Sequence, residues 1–149
     1  MSCDVSPYSL IISSPRVALH YMDSNSIPWD SMDPVDELVR NILWSDPIDG
    51  DERMQLGVHG SPRDNYTGRI SRFTPEITEE FCLRNSIKCI IRSHQFVDDG
   101  YKIMHKGKMI TVFSARNYDE KETNNSALIL LAKNEHGQLQ INPKKLAHF

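Results

Sequence analysis

The sequence predicts an α/β domain in which an antiparallel sheet closes one end. Three observations carry that expectation. Asp33-Pro34 and Thr74-Pro75 each read as a helix start, with a capping residue followed by Pro at the first helical position. Ile87-Lys88-Cys89-Ile90-Ile91 is an apolar run of buried-strand character. Two strand–turn–strand patterns then follow in succession.

Taken in order, residues 1–32 show no clear period and read as an irregular leader rich in Ser, Asp and Pro. The domain proper is expected over residues 33–142, with a tail at 143–149. Its first helix places Val35, Leu38, Val39 and Ile42 at helical spacing and runs into an extended Ile42-Leu43-Trp44. Residues 45–72 are polar and hold Gly57, Gly60 and Gly68, so they read as one long loop, a feature that in compact domains is usually functional or disordered. In the second helix Ile77 and Phe81 form the expected buried stripe, and Glu79, Glu80 and Arg84 the wet face. The first hairpin pairs Tyr101 to Met104 with Met109 to Phe113 around His105-Lys106-Gly107-Lys108. The second pairs Ala127 to Ala132 with Gln138 to Ile141 around Asn134-Glu135-His136-Gly137.

Composition narrows the function classes. The chain has 149 residues, 39% hydrophobic and 25% charged, which suits one folded domain. The net charge is −3 with Lys and Arg scattered, so no nucleic-acid partner is expected. No apolar run reaches membrane-spanning length, so no membrane association is expected. Cys3, Cys82 and Cys89 match neither a disulfide framework nor a zinc motif, and reduced thiols point to a cytoplasmic or nuclear location.

Three segments carry chemical potential. His94 lies just past the end of the buried strand, two residues after Arg92, where α/β folds present rigid side chains to ligands. A neutral imidazole there is a competent metal ligand, although a lone strand-end His is more often structural. Trp44-Ser45-Asp46-Pro47 offers an aromatic anchor and a carboxylate that can bond nearby backbone, with an ordinary turn as the simpler reading. Ser114-Ala115-Arg116-Asn117-Tyr118 follows a strand and ends in a phenol able to bond a phosphate or a water.

Their order is more specific than any one of them. Ile42-Leu43-Trp44-Ser45-Asp46-Pro47, Ile90-Ile91-Arg92-Ser93-His94-Gln95, Asp99-Gly100-Tyr101, and Val112-Phe113-Ser114-Ala115-Arg116-Asn117-Tyr118 closely resemble the phosphoprotein phosphatase family, whose pattern runs LLWSDP, R-[AS]-H-[QE], DGY or EGY, and FSAPNY. Asn124-Asn125-Ser126-Ala127 is similar to the short Asn-containing stretch that follows. The resemblance implies the C-terminal part of a four-layer α/β/β/α metallophosphoesterase sandwich, incomplete in this chain. It also implies hydrolysis of phosphoserine and phosphothreonine esters by a water activated between two divalent ions (Mn, Fe or Zn). By that resemblance His94 is a metal ligand, Tyr118 lies beside the metal-bound solvent, and Trp44, Asp46, Arg92 and Asn117 support the site. Ungapped counting from His94 puts Thr67-Gly68 at the family's Arg-Gly pair, so the loop arginine, which binds phosphate bidentately, is matched by Arg63, by Arg69 or by neither. Arg63 is preferred because Ser-Pro-Arg occurs there in some members. Implied partners are phosphoprotein substrates and regulatory subunits.

The departures shape a further expectation. The family's GDxHG, GDxVDRG and GNHE motifs, which supply most metal ligands and the general acid, do not occur, and no HGG precedes the Trp44 segment. Arg116 stands at the usual Pro and Asp119 at a frequent Cys. The chain is therefore expected to be a truncated form, inactive alone for want of ligands. The alternative is an inactive isoform serving as a protein-interaction module.

Overall fold

A computed structural model describes residues 10–12, 34–48, 55–118 and 123–146. Its elements are β1 (Leu10–Ile12), α1 (Pro34–Trp44), β2 (Asp46–Pro47), β3 (Val58–Gly60), β4 (Ser71–Phe73), α2 (Pro75–Arg84), β5 (Cys89–Arg92), β6 (Tyr101–Met104), β7 (Met109–Val112), β8 (Ala127–Lys133) and β9 (Leu139–Lys145). One sheet runs β1-β5-β7-β6, with the first three strands parallel and β6 antiparallel at the edge. A small sheet runs β2-β4-β3, and β8 pairs with β9 as a separate hairpin.

Strand alternation explains the layering. Cys89 and Ile91 leave β5 on one face and, with Ile110 of β7, form a buried cluster. Ile129 of β8 and Ile141 of β9 pack on it, so the hairpin covers that side. Ile90, Arg92 and Met109 line a groove on the helical side, together with Ile42 of α1 and Ile77 and Phe81 of α2. Helices, a mixed sheet and a second β layer thus follow one another.

Both expected hairpins form, and β9 extends to Lys145, beyond the expected Ile141. Several sequence expectations change. Leu10–Ile12, read as part of an irregular leader, pairs in parallel with Cys89–Ile91. Isolated from the domain in sequence, it gains its strand geometry from β5 and not from local pattern. The remainder of the leader, including the cap expected at Asp33, lies outside the described residues.

The first helix does not turn extended at Ile42. It continues through Trp44, because Ser45 N–H still reaches Asn41 O at 3.0 Å and Ser45 Oγ donates to Asn41 Oδ1. Asp46-Pro47 then ends it, since Pro disfavours a helical residue before it and lacks an N–H. Of the apolar positions at helical spacing, two are described. Leu38 and Ile42 are exposed, while Arg40 is buried. In α2 the buried positions are Thr78 and Cys82, whereas Phe81 is exposed on the rim of the groove.

The long loop at 45–72 contains β2, β3 and the start of β4, and it is an ordered sheet in its described part. Asp64 organises its apex. Its Oδ2 accepts from the Thr67 hydroxyl and from the N–H groups of Arg69 and Ile70, all at 2.8–2.9 Å. The Thr74 hydroxyl, expected to cap α2, is committed instead to Gly57, accepting from its N–H at 2.8 Å.

His105, read only as a turn residue, is buried and joins three elements. Its Nε2 sits 2.8 Å from Ile48 O and its Nδ1 2.7 Å from the Thr78 hydroxyl. A carbonyl can only accept, so Nε2 carries the proton and Nδ1 accepts from Thr78. At Gly100, with φ +76°, a Cβ would lie 2.7–2.8 Å from backbone atoms of Asn125, Ser126 and Ala127. The chain there needs both the left-handed geometry and the missing side chain. Gly100→Ala is expected to destabilise the full chain by about 2 kcal/mol or more, read as a lower urea midpoint. An unchanged midpoint contradicts this packing.

Candidate active site

The main sheet positions the chemistry. β5 and β7 are parallel neighbours, so the segments after Arg92 and after Val112 leave from the same end of the sheet. Such C-terminal ends are where α/β folds bind ligands. The first segment carries His94 and the second carries Asn117 and Tyr118.

β2 brings Asp46 to this region, and its carboxylate is shared by two guanidinium groups. Arg63 Nε donates to Oδ2 at 2.5 Å, and Arg92 donates from its second terminal nitrogen to Oδ1 at 2.9 Å. Arg92 also donates to Ser45 O at 3.2 Å and to Gln95 Oε1 at 3.2 Å. Asp46 and Arg92 are buried at the side chain, 8% and 9% exposed, whereas Arg63 is 32% exposed. Two cations on one anion leave a net positive corner, and Arg63 reaches Asp46 through Nε. That contact uses only one of the guanidinium's five N–H donors, and the side chain is about one-third exposed. Burial lowers the Arg92 pKa, and the Asp46 charge opposes that fall.

His94 stands beside this cluster with φ +85°, an uncommon conformation for a non-glycine residue. Its ring meets Trp44 edge to face, with centroids 5.0 Å apart. Burial lowers the imidazole pKa, Arg63 and Arg92 push the same way, and Asp46 pulls against them. The ring is therefore neutral near pH 7. Its Nε2 is buried and has no hydrogen-bond partner among the described residues. An uncharged imidazole with an orphaned buried nitrogen has the donor chemistry of a metal ligand. Among the described residues no group of three or more His, Cys, Asp or Glu side chains converges to hold a metal.

The structure thus brings together Trp44, Asp46, Arg63, Arg92 and His94. Asn117 and Tyr118 form a second group. Tyr118 is exposed, and its ring stands edge-on to Phe113 with centroids 5.0 Å apart. Phe113 in turn meets Phe96, two residues past His94. Asn117 adopts φ +49°, which Asn tolerates better than most residues. Asp119 lies outside the described residues. Arg69, the other candidate for the loop arginine, gives its backbone N–H to Asp64, while Arg63 is the one joined to Asp46.

Two contributors were not legible as site residues. Asp64 holds the 61–70 apex that presents Arg63, and a local Asx-type signal in Asp64-Asn65 was its only hint. Asn124 is buried and spans the Tyr118 loop, with Asn124-Asn125 inside the resembling stretch as its signal.

No family model matches the chain. Over 96 residues, 64% of this chain, it is 40% identical to the mouse serine/threonine-protein phosphatase with EF-hands 1, covering 14% of that protein. Over the same length and share it is 40% identical to serine/threonine-protein phosphatase T of Trypanosoma brucei brucei, covering 19% of it. It is 38% identical to serine/threonine-protein phosphatase 5 of Solanum lycopersicum, covering 16% of it. The chain thus spans less than a fifth of the length of each of these relatives. A solved serine/threonine phosphatase of Saccharomyces cerevisiae, described as similar to human phosphatase PP5, superposes with a TM-score of 0.55. It is 28% identical and covers 83% of this chain and 36% of its own.

Over 64% of its length the chain is similar to a region of the catalytic domain of serine/threonine phosphatases of the phosphoprotein phosphatase family, and its fold is a partial α/β metallophosphoesterase fold. Phosphatases of this family are metal-dependent.

Two outcomes follow for stability. Asp46→Ala leaves the buried Arg92 charge unpaired and is expected to cost about 3 kcal/mol. Arg63→Ala removes the more exposed partner and is expected to cost about 1 kcal/mol or less. Equal urea-midpoint shifts would contradict the shared-carboxylate arrangement. For Asp64, burial raises the carboxyl pKa, but bonds from the Thr67 hydroxyl and from the backbone of Ile70, Arg69 and Tyr66 together outweigh it and leave the value lowered. A depressed folded pKa gives stability that is present above the unfolded value, about 3.9. That stability is lost as pH falls through the folded value. Asp64→Asn should flatten this acid limb, as followed by urea midpoints between about pH 2 and 5.

Proposed function

We propose that the chain forms part of the catalytic wall of a serine/threonine protein phosphatase acting on phosphoserine and phosphothreonine esters. The observation that carries the proposal is the neutral, half-buried His94 ring, whose buried Nε2 has no partner among the described residues, beside a carboxylate shared by two arginines. The likeness to serine/threonine phosphatases supports it.

Two divalent ions (Mn, Fe or Zn) would supply phosphate charge neutralisation and acidify the attacking water. His94 would hold one of them through Nε2, and Trp44 fixes the ring that presents it. Arg63 would bind the phosphate oxygens with its terminal amino groups, while Asp46 and Arg92 hold that guanidinium in place. Tyr118 would offer its hydroxyl to the phosphate or to the attacking water, and Asn117 shapes the turn that presents it. The substrates are phosphoproteins, with regulatory subunits as further partners, in the cytoplasm or nucleus.

One imidazole is too few ligands for a two-metal centre. The chain alone is accordingly proposed to be inactive, its ligand set being completed by residues of the kind the family carries in its earlier motifs. A second reading, a non-catalytic interaction module, draws on the open groove whose rim carries the exposed Ile42 and Phe81.

Grafting is the direct test. Residues 42–131 replace the matching segment of the tomato phosphatase 5, and turnover of a phosphoserine peptide is followed with Mn²⁺. The chimera is expected to turn over, with His94→Ala and Arg63→Ala each lowering kcat/KM by about 100-fold or more. A folded chimera without turnover, or one indifferent to both substitutions, favours the interaction module. The isolated chain is expected to show turnover at background with Mn²⁺.

A further inference from the structure

Residues 114–118, which end in Tyr118, are exposed, yet one buried side chain passes behind them. Asn124 is 2% exposed. Its Oδ1 accepts from the Tyr118 N–H at 3.0 Å, while its Nδ2 donates to Ala115 O at 2.7 Å and to Asn125 O at 3.1 Å. Its own carbonyl accepts from the Asn117 N–H at 3.4 Å. We propose that Asn124 is a positioning residue for Tyr118: its amide bridges Ala115 O and Tyr118 N–H and fixes the turn that aims the phenol at the phosphate site. The proposal rests on the phosphatase role given above to Tyr118.

The chemistry selects Asn. Both amide hydrogens and the carbonyl oxygen are used at once, a set that only a primary amide of this length supplies. Asp keeps the shape and the acceptor but loses both donors, and it sets a negative charge against the carbonyls of Ala115 and Asn125. Tertiary contacts would normally hold such a turn, but Ala115 to Tyr118 are exposed. The turn also carries Asn117 at positive φ. The fixing is therefore done from behind by one amide, and the Tyr118 ring stays open to a ligand on its outer side.

Asn124 is anchored in turn to the loop that leaves His94. Asn125 N–H donates to Asp98 O at 2.7 Å. Gly100 lies close enough to the 125–127 backbone that no side chain fits between. Gly100 O accepts from Phe113 N–H at 2.8 Å, at the root of the Tyr118 loop. The segments after β5 and β7 are thus joined through residues 124–127, which keeps the imidazole and phenol in one frame. Leu146 N–H to Ser126 O, 2.9 Å, fastens the same segment to the end of β9.

Amide hydrogen exchange in the full chain tests the clamp without any need for turnover. Asn124→Asp is expected to speed exchange at the Tyr118 N–H by about 10-fold or more, and to weaken the NOE between the Tyr118 and Phe113 rings. Amides in β5 and β7 should keep their protection, which separates this outcome from unfolding. Asn124→Ser, smaller and uncharged, serves if the Asp variant does not fold. Lys145→Ala, which removes an exposed ion pair to Asp99, should leave Tyr118 unaffected. Unchanged Tyr118 exchange in Asn124→Asp overturns the proposal.

The chimera supplies the functional arm. There Asn124→Asp should lower kcat about 10-fold with KM changed less than about 2-fold, and it should add nothing to Tyr118→Ala. Additive losses from the two substitutions overturn the assigned route through Tyr118. If exchange reports the clamp while the unsubstituted chimera turns over no phosphopeptide, the phosphatase reading falls and the clamp stands.

Discussion

The Asp46 carboxylate, held between Arg63 and Arg92, is the contact on which the site depends. It joins the small β2-β4-β3 sheet to the end of β5. Without it, two cations would face each other in a partly dry corner, at a cost that rises steeply as the dielectric falls. With it, Arg92 is neutralised in the interior and Arg63 is left half-committed at the surface. The buried guanidinium is spent on structure, and the more exposed one is the one proposed to bind phosphate.

The same electrostatics governs His94. A nearby pair of guanidinium groups and a dry setting both disfavour the imidazolium, so the ring stays neutral and keeps a lone pair for a metal. Its left-handed backbone stores strain that the surrounding contacts, Trp44 among them, hold in place. Strain kept at one residue beside an unpaired buried nitrogen is typical of sites that become complete only when a ligand arrives.

What the sequence made legible follows from where the information lies. The β6–β7 and β8–β9 hairpins and the body of α2 were readable because alternation, helical spacing and turn glycines are local signals. Trp44, Asp46, Arg63, Arg92 and His94 were readable as a set only through motif order. Their convergence depends on β2 pairing with β4 and on β5 lying in the main sheet, neither of which any local period reveals. Strands β2 to β4 have two or three residues each, too few to show alternation. Helical spacing in α1 did not say which positions are covered: Leu38 and Ile42 are exposed, and Ile42 opens onto the groove. The contacts that Asn124 and His105 make were not legible, for a common reason. A buried amide or imidazole that satisfies carbonyls from distant segments looks, in sequence, like any polar residue in a turn.

The central claim is that His94 Nε2 looks onto a metal- and phosphate-binding corner that Arg63 shares. Paramagnetic broadening by dilute Mn²⁺ measures this in the full chain without requiring catalysis. The account predicts that broadening is strongest at the His94 ring, extends to the Arg63 side chain, and disappears in His94→Ala. Broadening centred elsewhere, or persisting unchanged in His94→Ala, would contradict it.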